Sequence, residues 1–320
     1  MNVRKFLVLT VFSLCLLPCI AQNSEGFRDF DLVTIAPKTN EVYGKFTIGE
    51  NVQSFTARRW VKAFAINRYE TTYSLWYEVL EWATNRGYLF QNPGQEGSAG
   101  RRGRLPTQMR QYQPVTMISW YDVIVWCNAL SEMKGRTPCY TYSGEVLRDA
   151  TDTLACDLAE CNWEADGFRL PTETEWEYAA RKTLDGVQRG DLASGQTSEL
   201  EAEDVAWYSD NATTAHVVGT AGTPFDLSAS PAPGSGNANG SGLFDMSGNV
   251  LEFCWDWEAD YEDTEPEARS SGPRFGSQRV CRGGSWSPYS FLIFAADRYA
   301  FDPNEAYNYL GFRFCTSFVE

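Results

Sequence analysis

Histidine is almost absent from the 320-residue sequence, which contains only His216. Metal sites built from several histidines are therefore excluded, as are acid–base pairs of two histidines. A Ser–His–Asp triad would have to use His216, but no nucleophile elbow occurs anywhere in the chain. We interpret His216 as a strand-edge or surface residue without a catalytic role.

Positive charge is also scarce. The chain has 27 Lys and Arg against 42 Asp and Glu, which gives a net charge of −15 at pH 7. Such a surface repels the phosphates of nucleic acids and the head groups of anionic lipids. The sequence therefore predicts no nucleic-acid partner, and any attachment to a membrane must come from an anchor.

Long apolar runs are missing except at the N-terminus. Arg4 and Lys5 precede an apolar stretch over residues 6–17. This stretch is too short to span a bilayer, which takes roughly 20 residues, but it has the form of a signal peptide. We therefore expect the mature protein to be exported.

The end of the signal peptide allows two cleavage sites. Residues 16–19, Leu-Leu-Pro-Cys, resemble the lipobox of bacterial lipoproteins, although Pro18 replaces the usual small residue. Cleavage there would leave Cys19 acylated, with residues 20–40 as a tether at the outer cell surface. The alternative is cleavage after Ala21, which would release a freely secreted protein. We favour the lipoprotein, with residues 1–19 as its signal peptide.

Seven cysteines lie beyond the signal peptide, and an exported protein can oxidise them. The odd number leaves at least one without an intramolecular disulfide. Cys156 and Cys161 are close enough for a local disulfide loop, but spacing does not determine the pairing.

The remaining sequence indicates one irregular α+β domain over residues 41–320. Thr72 is a candidate N-cap for a helix that stops at Gly87, and Ser119 begins a second helix that stops at Gly135. A third, shorter helix follows Thr172, which forms a capping-box pattern with Glu175. Short strand candidates and turn-rich segments fill the rest, and no internal repeat is visible.

Several segments resemble the formylglycine-generating-enzyme (sulfatase-modifying factor) family and follow one another in the family's order. They are Asn67–Thr72, Pro114–Asp122, Gly167–Arg181, Gly242–Phe253, Arg282–Trp286 and Gly311–Arg313. The resemblance covers about residues 44–318. It implies the irregular C-type-lectin-like fold of that family, which agrees with the α+β pattern.

The resemblance does not extend to the copper-binding cysteines. In the family's oxidases, two cysteines shortly after the Gly-Gly-Ser strand hold copper, and thiolates suit Cu(I) because both are soft. The corresponding positions here are Pro288 and Ile293, which cannot bind a metal. We therefore predict a protein that is not an enzyme and requires no cofactor. The alternative is a formylglycine-generating-type oxidoreductase, or a degenerate relative with a structural role.

The resemblance also implies a possible structural calcium ion. Family members bind calcium at the turn that corresponds to residues 245–252. The matching ligands are the side chains of Asp245 and Glu252 and the carbonyls of Gly248 and Val250. The alternative is a hydrogen-bonded turn without metal.

Residues 282–313 resemble the variable region of proteins encoded with diversity-generating retroelements. Arg282–Trp286, Arg298, Pro303 and Leu310–Arg313 match the constant positions of that region. Its Asn codons are copied with adenine-specific errors, which cannot produce Lys, Gln, Glu, Met or Trp. Residues 287–309 contain none of these except Glu305.

This resemblance and the residue types predict a ligand-binding face. Aromatic side chains would supply rigid contact area and polar ones adaptable hydrogen bonds, as in antibody paratopes. Ile293, Phe294 and Ala295 are expected to be buried instead. The predicted contact residues are Ser287, Pro288, Tyr289, Phe291, Leu292, Asp297, Tyr299, Ala300, Phe301, Asp302, Asn304, Tyr307, Asn308 and Tyr309. The sequence thus predicts a surface-displayed binding protein whose partner is a protein or another macromolecule.

Overall fold

The computed structural model describes residues 27–38, 41–224, 231–266 and 270–318. The predicted signal peptide, Cys19 and the first part of the predicted tether lie outside these ranges. Within the described ranges, no helix is both long and apolar enough to cross a bilayer.

The three predicted helices are present with the predicted caps. Thr72 caps the first by accepting a hydrogen bond from the backbone N–H of Leu75. Ser119 and Thr172 cap the other two, each within a complete capping box. The helices are α1 (Tyr73–Thr84), α2 (Trp120–Met133), α3 (Thr153–Asp157), α4 (Glu173–Arg181) and α5 (Ala202–Val205).

The strands are short, as expected for this irregular α+β fold. They are β1 (Leu32–Ile35), β2 (Gly44–Ile48), β3 (Ala57–Val61), β4 (Phe64–Asn67), β5 (Gln95–Glu96), β6 (Val115–Thr116), β7 (Tyr140–Tyr142), β8 (Glu145–Val146), β9 (Glu160–Cys161), β10 (Phe168–Arg169), β11 (Leu251–Trp257), β12 (Arg279–Arg282), β13 (Arg298–Phe301), β14 (Leu310–Gly311) and β15 (Cys315–Ser317).

One sheet joins the two ends of the domain in the order β1-β4-β15-β10. Strand β1 pairs antiparallel with β4, and Leu32 lies opposite Asn67. Because β1 falls within residues 20–40, that segment is not a tether throughout, which corrects the sequence prediction. The domain begins earlier than residue 41, since the backbone of β1 completes the sheet through hydrogen bonds.

A second sheet, in the order β13-β12-β11-β14, carries the C-terminal segment. Strand β11 is buried along its whole length, while β13 forms an edge and is half-buried. The edge strand lies within residues 287–309, so the predicted contact segment is held by a buried sheet but faces outward.

The largest core cluster lies between α1, α2 and this second sheet. Trp76 of α1 and Trp126 of α2 stack with their ring centroids 5.7 Å apart. Phe312 meets both rings edge-on. Large aromatic rings that pack in this way contribute much of the buried apolar area, so the aromatic-rich composition is used first for the core.

Charged residues in the core are paired. Arg313 donates to both carboxylate oxygens of Glu252, and Arg169 pairs with Glu175 at 2.7 Å. Arg282 pairs with Glu177 in α4, and both side chains are fully buried. Buried charges are tolerated only with such partners, so these pairs fix how α4 and the C-terminal strands meet.

Five of the cysteines beyond the signal peptide are buried and form no disulfide. Cys127, Cys139, Cys156, Cys254 and Cys281 carry buried, reduced thiols. The disulfide considered between Cys156 and Cys161 is not formed. The Sγ of Cys156 lies 3.5 Å from the Asp149 carbonyl oxygen instead.

Candidate ligand-binding face

The C-terminal segment is attached to the scaffold through its backbone. The carbonyl oxygens of Pro303 and Tyr307 accept hydrogen bonds from Trp120 and Met117, both at 3.0 Å. The Tyr309 carbonyl accepts a 2.9 Å bond from Leu251. Because these bonds involve no side chain of the segment, they hold its path whatever side chains it carries.

Four aromatic side chains of the segment form a continuous cluster on the surface, here called the aromatic cluster: Tyr289, Phe301, Tyr307 and Tyr309. Tyr307 and Tyr309 stack at 5.0 Å between ring centroids, and Phe301 lies 5.5 Å from Tyr307. Tyr289 lies 6.4 Å from Tyr309 and is 80% exposed. Phe301, Tyr307 and Tyr309 are half-buried and also pack against the core. The cluster therefore joins the core to the surface, and an exposed aromatic side chain such as Tyr289 on this support is a candidate contact for a ligand.

The loop before β13 extends this apolar surface. Phe291, Leu292 and Phe294 are all substantially exposed, together with Pro288. The backbone N–H of Leu292 donates to the Tyr299 hydroxyl at 2.9 Å, which links the loop to the edge strand. The loop and the strand therefore present one connected surface.

Polar groups border the aromatic cluster. Asp302 and Asn304 are exposed in one turn, where the Asp302 carboxylate accepts from the Asn304 backbone. Asn308 is half-buried and donates to the Ser98 carbonyl at 3.1 Å. Ala300 is half-buried beside Tyr299 on β13. These groups give the face a polar margin around an apolar centre, as protein interfaces have.

Three tyrosines of the face, Tyr299, Tyr307 and Tyr309, have a raised pKa. A hydrogen bond to Glu305 raises the pKa of Tyr307 to about 12. Burial raises the pKa of Tyr299 to about 12, and it also raises the pKa of Tyr309. The face therefore offers hydroxyl donors and acceptors rather than phenolate charge.

The prediction of contact residues is wrong at two positions, where the side chain is buried. Ser287 is 2% exposed, and its hydroxyl accepts from the backbone of Tyr289. Asp297 is 4% exposed, and its carboxylate accepts from the backbone of Phe294. Both side chains close local turns, because a short polar side chain can replace a backbone partner there.

Of the three residues expected to be buried, Ile293 and Ala295 are buried but Phe294 is exposed. The backbone of Phe294 forms an isolated bridge with Ala193, so side chains alternate between inside and outside at this point. The order Ile293, Phe294, Ala295 contained this signal, since alternation places the middle residue outward. Phe294 therefore joins the face.

The side chains of the two predicted calcium ligands differ in how far the protein satisfies them. Asp245 Oδ1 is buried without a hydrogen-bond partner among the described residues, whereas Glu252 is fully engaged. Arg313 and Trp176 donate to the carboxylate of Glu252, so its oxygens are already occupied. One oxygen of Asp245 accepts from Gly219, and the Val250 N–H points at Glu70. In the part of the chain that is described, no group of three or more His, Cys, Asp or Glu side chains is arranged to hold a metal. The turn is a hydrogen-bonded one, with Glu252 held by an arginine.

The thiols and the histidine show no sign of activation. Burial raises the pKa of the Cys281 thiol well above its usual value, whereas reactive cysteines have a lowered pKa. His216 is half-buried and stacks on Trp207 at 4.0 Å, and burial lowers its pKa. It is a half-buried ring packed on Trp207, where the sequence predicted a strand-edge or surface residue without a catalytic role.

Known relatives share this architecture. The chain is 30% identical over 230 residues to the protein named Chaperone protein LppX of Paenibacillus barcinonensis. This match covers 70% of this chain and 69% of that protein. It is 28% identical over 263 residues to the formylglycine-generating enzyme of Bos taurus, covering 79% of this chain. The match spans 65% of that enzyme, slightly under two thirds of its length.

Solved structures give the same result. Treponema denticola variable protein 1 superposes with a TM-score of 0.67 at 28% identity, covering 89% of this chain and 94% of that one. The protein CarF superposes with a TM-score of 0.67 at 24% identity, covering 90% and 98%, which supports the fold alone. The predicted C-type-lectin-like fold of the formylglycine-generating-enzyme type is confirmed.

The family model described as "Sulfatase-modifying factor enzyme 1-like domain" matches residues 38–318. Proteins similar to this chain are named both formylglycine-generating enzyme and variable protein, so membership of the family alone does not assign catalysis. The chain belongs to the sulfatase-modifying factor enzyme 1-like family.

Proposed function

We propose that this protein is a non-catalytic binding protein whose ligand contacts the face made by residues 288–309. The aromatic cluster carries this proposal, because the exposed ring of Tyr289 is supported by the half-buried rings of Phe301, Tyr307 and Tyr309. Rigid aromatic side chains dominate the affinity of many interfaces. The ligand is a protein or another macromolecule, since the face is broad and exposed rather than a deep cavity.

We further propose that a retroelement diversifies residues 287–309. The residue identities support this, and so does the similarity to Treponema denticola variable protein 1. The backbone attachment of Pro303, Tyr307 and Tyr309 also supports it, because side chains on such a segment can change without loss of its path. Display at the outer cell surface through an acylated Cys19 completes the proposal.

An oxidoreductase function receives no support from the arrangement of the side chains. Pro288 and Ile293 occupy the positions that correspond to the copper-binding cysteines of the family's oxidases. The thiol of Cys281 is fully buried. A titration of the purified protein with Cu(I) tests this directly. Stoichiometric binding with oxidation of a cysteine-containing peptide would contradict a purely binding role.

Deep sequencing of the gene across a population of source cells tests the proposed function first. We expect differences confined to codons 287–309, at adenines of the template, with fixed flanks. The side chains that vary should include Tyr289, Phe291 and Tyr307, and exclude the buried Ser285 and Arg282. Variation spread evenly over the whole gene would contradict diversification of the face.

Lipid attachment needs a separate measurement. Cells expressing the wild-type protein should incorporate labelled palmitate into it, whereas a Cys19→Ser variant should not. The Cys19→Ser variant should then appear in the medium. A wild-type protein that is found in the medium with residue 22 as its N-terminus would instead support secretion after Ala21.

A further inference from the structure

A groove on a different part of the surface is lined by aromatic side chains that the proposed function does not use. It consists of two neighbouring cavities of about 490 and 230 Å³. Trp163 lines both of them, so the two are parts of one groove. No described residue of 287–309 lines either cavity. The larger cavity has the size of an ordinary small-ligand site.

The aromatic rings lie along the length of the groove. Tyr43 and Trp60 line the smaller cavity, and Trp255, Trp257 and Phe275 line the larger one. Trp163 stands edge-on to Trp255, with ring centroids 5.9 Å apart. Trp255 and Trp257 are buried, whereas Tyr43, Trp60 and Trp163 are half-buried and Phe275 is exposed. The four partly exposed rings are the ones that a ligand with flat apolar faces could contact.

Arg279 lies at the floor of the larger cavity and has an unused donor. Its guanidinium is sandwiched between Trp120 and Trp257, 3.5 and 3.4 Å from the ring centroids. The side chain is 1% exposed, and its Nε has no hydrogen-bond partner among the described residues. A buried donor without a partner requires an explanation, and a ligand oxygen would supply one.

The groove carries no net charge. Three cationic side chains line it, Lys62, Arg274 and Arg279. Three acidic side chains balance them, which are Asp157, Glu160 and Glu164. The further acid, Glu175, is neutralised by its ion pair with Arg169. In a chain of net charge −15, this balance favours a neutral ligand over an anion or a cation.

Hydroxyl groups complete the lining. Thr174 donates to Ser270 at 3.0 Å in the smaller cavity, and Ser143 and Ser271 line the larger one. A lining that contains both partly exposed rings and small hydroxyl groups suits a pyranose, whose C–H groups pack on the negative ring face while its hydroxyls bond to polar groups. The geometry points to a binding site for a neutral oligosaccharide chain in this groove.

An extended peptide fits the groove less well. Strand addition needs a free sheet edge of useful length, but β9, the edge strand at this cavity, has only two residues. The peptide would also leave its backbone amides facing rings. Binding of a peptide in this groove would therefore contradict the proposal.

The test titrates the full mature chain with maltohexaose, cellohexaose and chitohexaose, by calorimetry and by tryptophan fluorescence. We expect at least one hexasaccharide to bind and to change the fluorescence, since four tryptophans line the groove. The affinity should be the same in 50 and 500 mM NaCl, because salt screens only charged contacts. No binding by any of the three would overturn the proposal.

Two variants locate the site. Trp163→Ala should weaken binding by about tenfold or more, and Phe275→Ala by a smaller factor. Phe275 is 61% exposed, so its variant keeps the test valid even when Trp163→Ala fails to fold. Phe55→Ala is the matched control, because Phe55 is 67% exposed but lines a different cavity.

Three results would overturn the assignment. One is unchanged hexasaccharide binding in both groove variants. Another is tighter binding of a sulfated hexasaccharide that weakens with salt, which would show an anion site. The third is binding of a proline-rich peptide that is lost in the Phe275→Ala variant. None of these readouts depends on residues 287–309, so failure here leaves the proposed function of the face untouched.

Discussion

Two regions of the C-terminal quarter of the chain use their side chains in opposite ways. Arg282 and Arg313 are fully buried, and each meets a buried glutamate. Between them, Tyr289 and Phe291 project into solvent. The fold therefore depends on the charged side chains at the two ends of the segment, whereas the exposed side chains between them are available for binding.

The difference shows why a segment can vary inside a rigid domain. Its backbone is held by hydrogen bonds to Met117, Trp120 and Leu251, and its flanks by ion pairs. Changes at buried paired charges cost several kcal/mol, whereas changes at exposed side chains cost little. The following predictions test this contrast, starting with the largest expected effect.

Removal of a buried arginine should be the most damaging change. Arg313→Ala leaves Glu252 buried without its partner, and we expect a loss of about 3–5 kcal/mol in the free energy of unfolding. Urea denaturation followed by circular dichroism measures this. Arg58→Ala, which breaks the exposed pair with Asp263, should cost less than about 1 kcal/mol. Equal losses in the two variants would remove the contrast.

The neighbouring residues Ile293 and Phe294 give the contrast at its finest scale. Ile293 is 7% exposed and Phe294 41%. We expect Ile293→Ala to lower the free energy of unfolding by about 3 kcal/mol and Phe294→Ala by less than about 1 kcal/mol. Thermal and urea denaturation of the two variants measure this. A larger loss for Phe294→Ala would mean that Phe294 belongs to the core.

A substitution at Gly284 tests how tightly the loop that contains Leu292 packs against the start of the C-terminal segment. It has a φ of +69°, and a Cβ there would lie 2.2 Å from the Leu292 carbonyl oxygen. Gly284→Ala should therefore cost about 2 kcal/mol through strain and displacement of the loop. Gly87 has a φ of +79° with nothing within 4 Å, so Gly87→Ala should cost only about 1 kcal/mol. Equal costs in urea denaturation would show that the loop moves freely.

The last prediction concerns pH and is spread over several pH units. Burial raises the pKa of Asp256 to about 8 and that of Asp245 to about 6. Because the folded state holds these protons more tightly than the unfolded chain, stability should fall as the pH rises from 5 to 8, by at most about 1.4 kcal/mol per proton and pH unit. Asp256→Asn should flatten this slope in urea denaturation. Asp263→Asn, an exposed control, should not.

The sequence predicted the helices well because their signals are local. Thr72, Ser119 and Thr172 each cap a helix through an oxygen that bonds three residues ahead. The short break between β3 and β4 has no such local signal. Strand β4 is buried on both faces, so it shows no alternation that could mark its start.

The candidate face was predicted only in part. Tyr289, Phe291 and Leu292 are exposed as expected, while Ser287 and Asp297 are buried. Short polar side chains occur both at interfaces and in turns, so their type does not distinguish the two roles. The groove around Trp163 was not predicted at all, because its aromatic residues are distributed from Tyr43 to Phe275.

By itself, the sequence determined the family, the main helices and the segment that carries the face, because each depends on residues close together in the chain. It also ruled out chemistry based on several histidines. Only the tertiary structure decided which side chains of that segment face outward, and that Arg313 binds the carboxylate of Glu252. Those outcomes depend on contacts between residues far apart in sequence, and burial and pairing at such distances are set by packing of the whole domain.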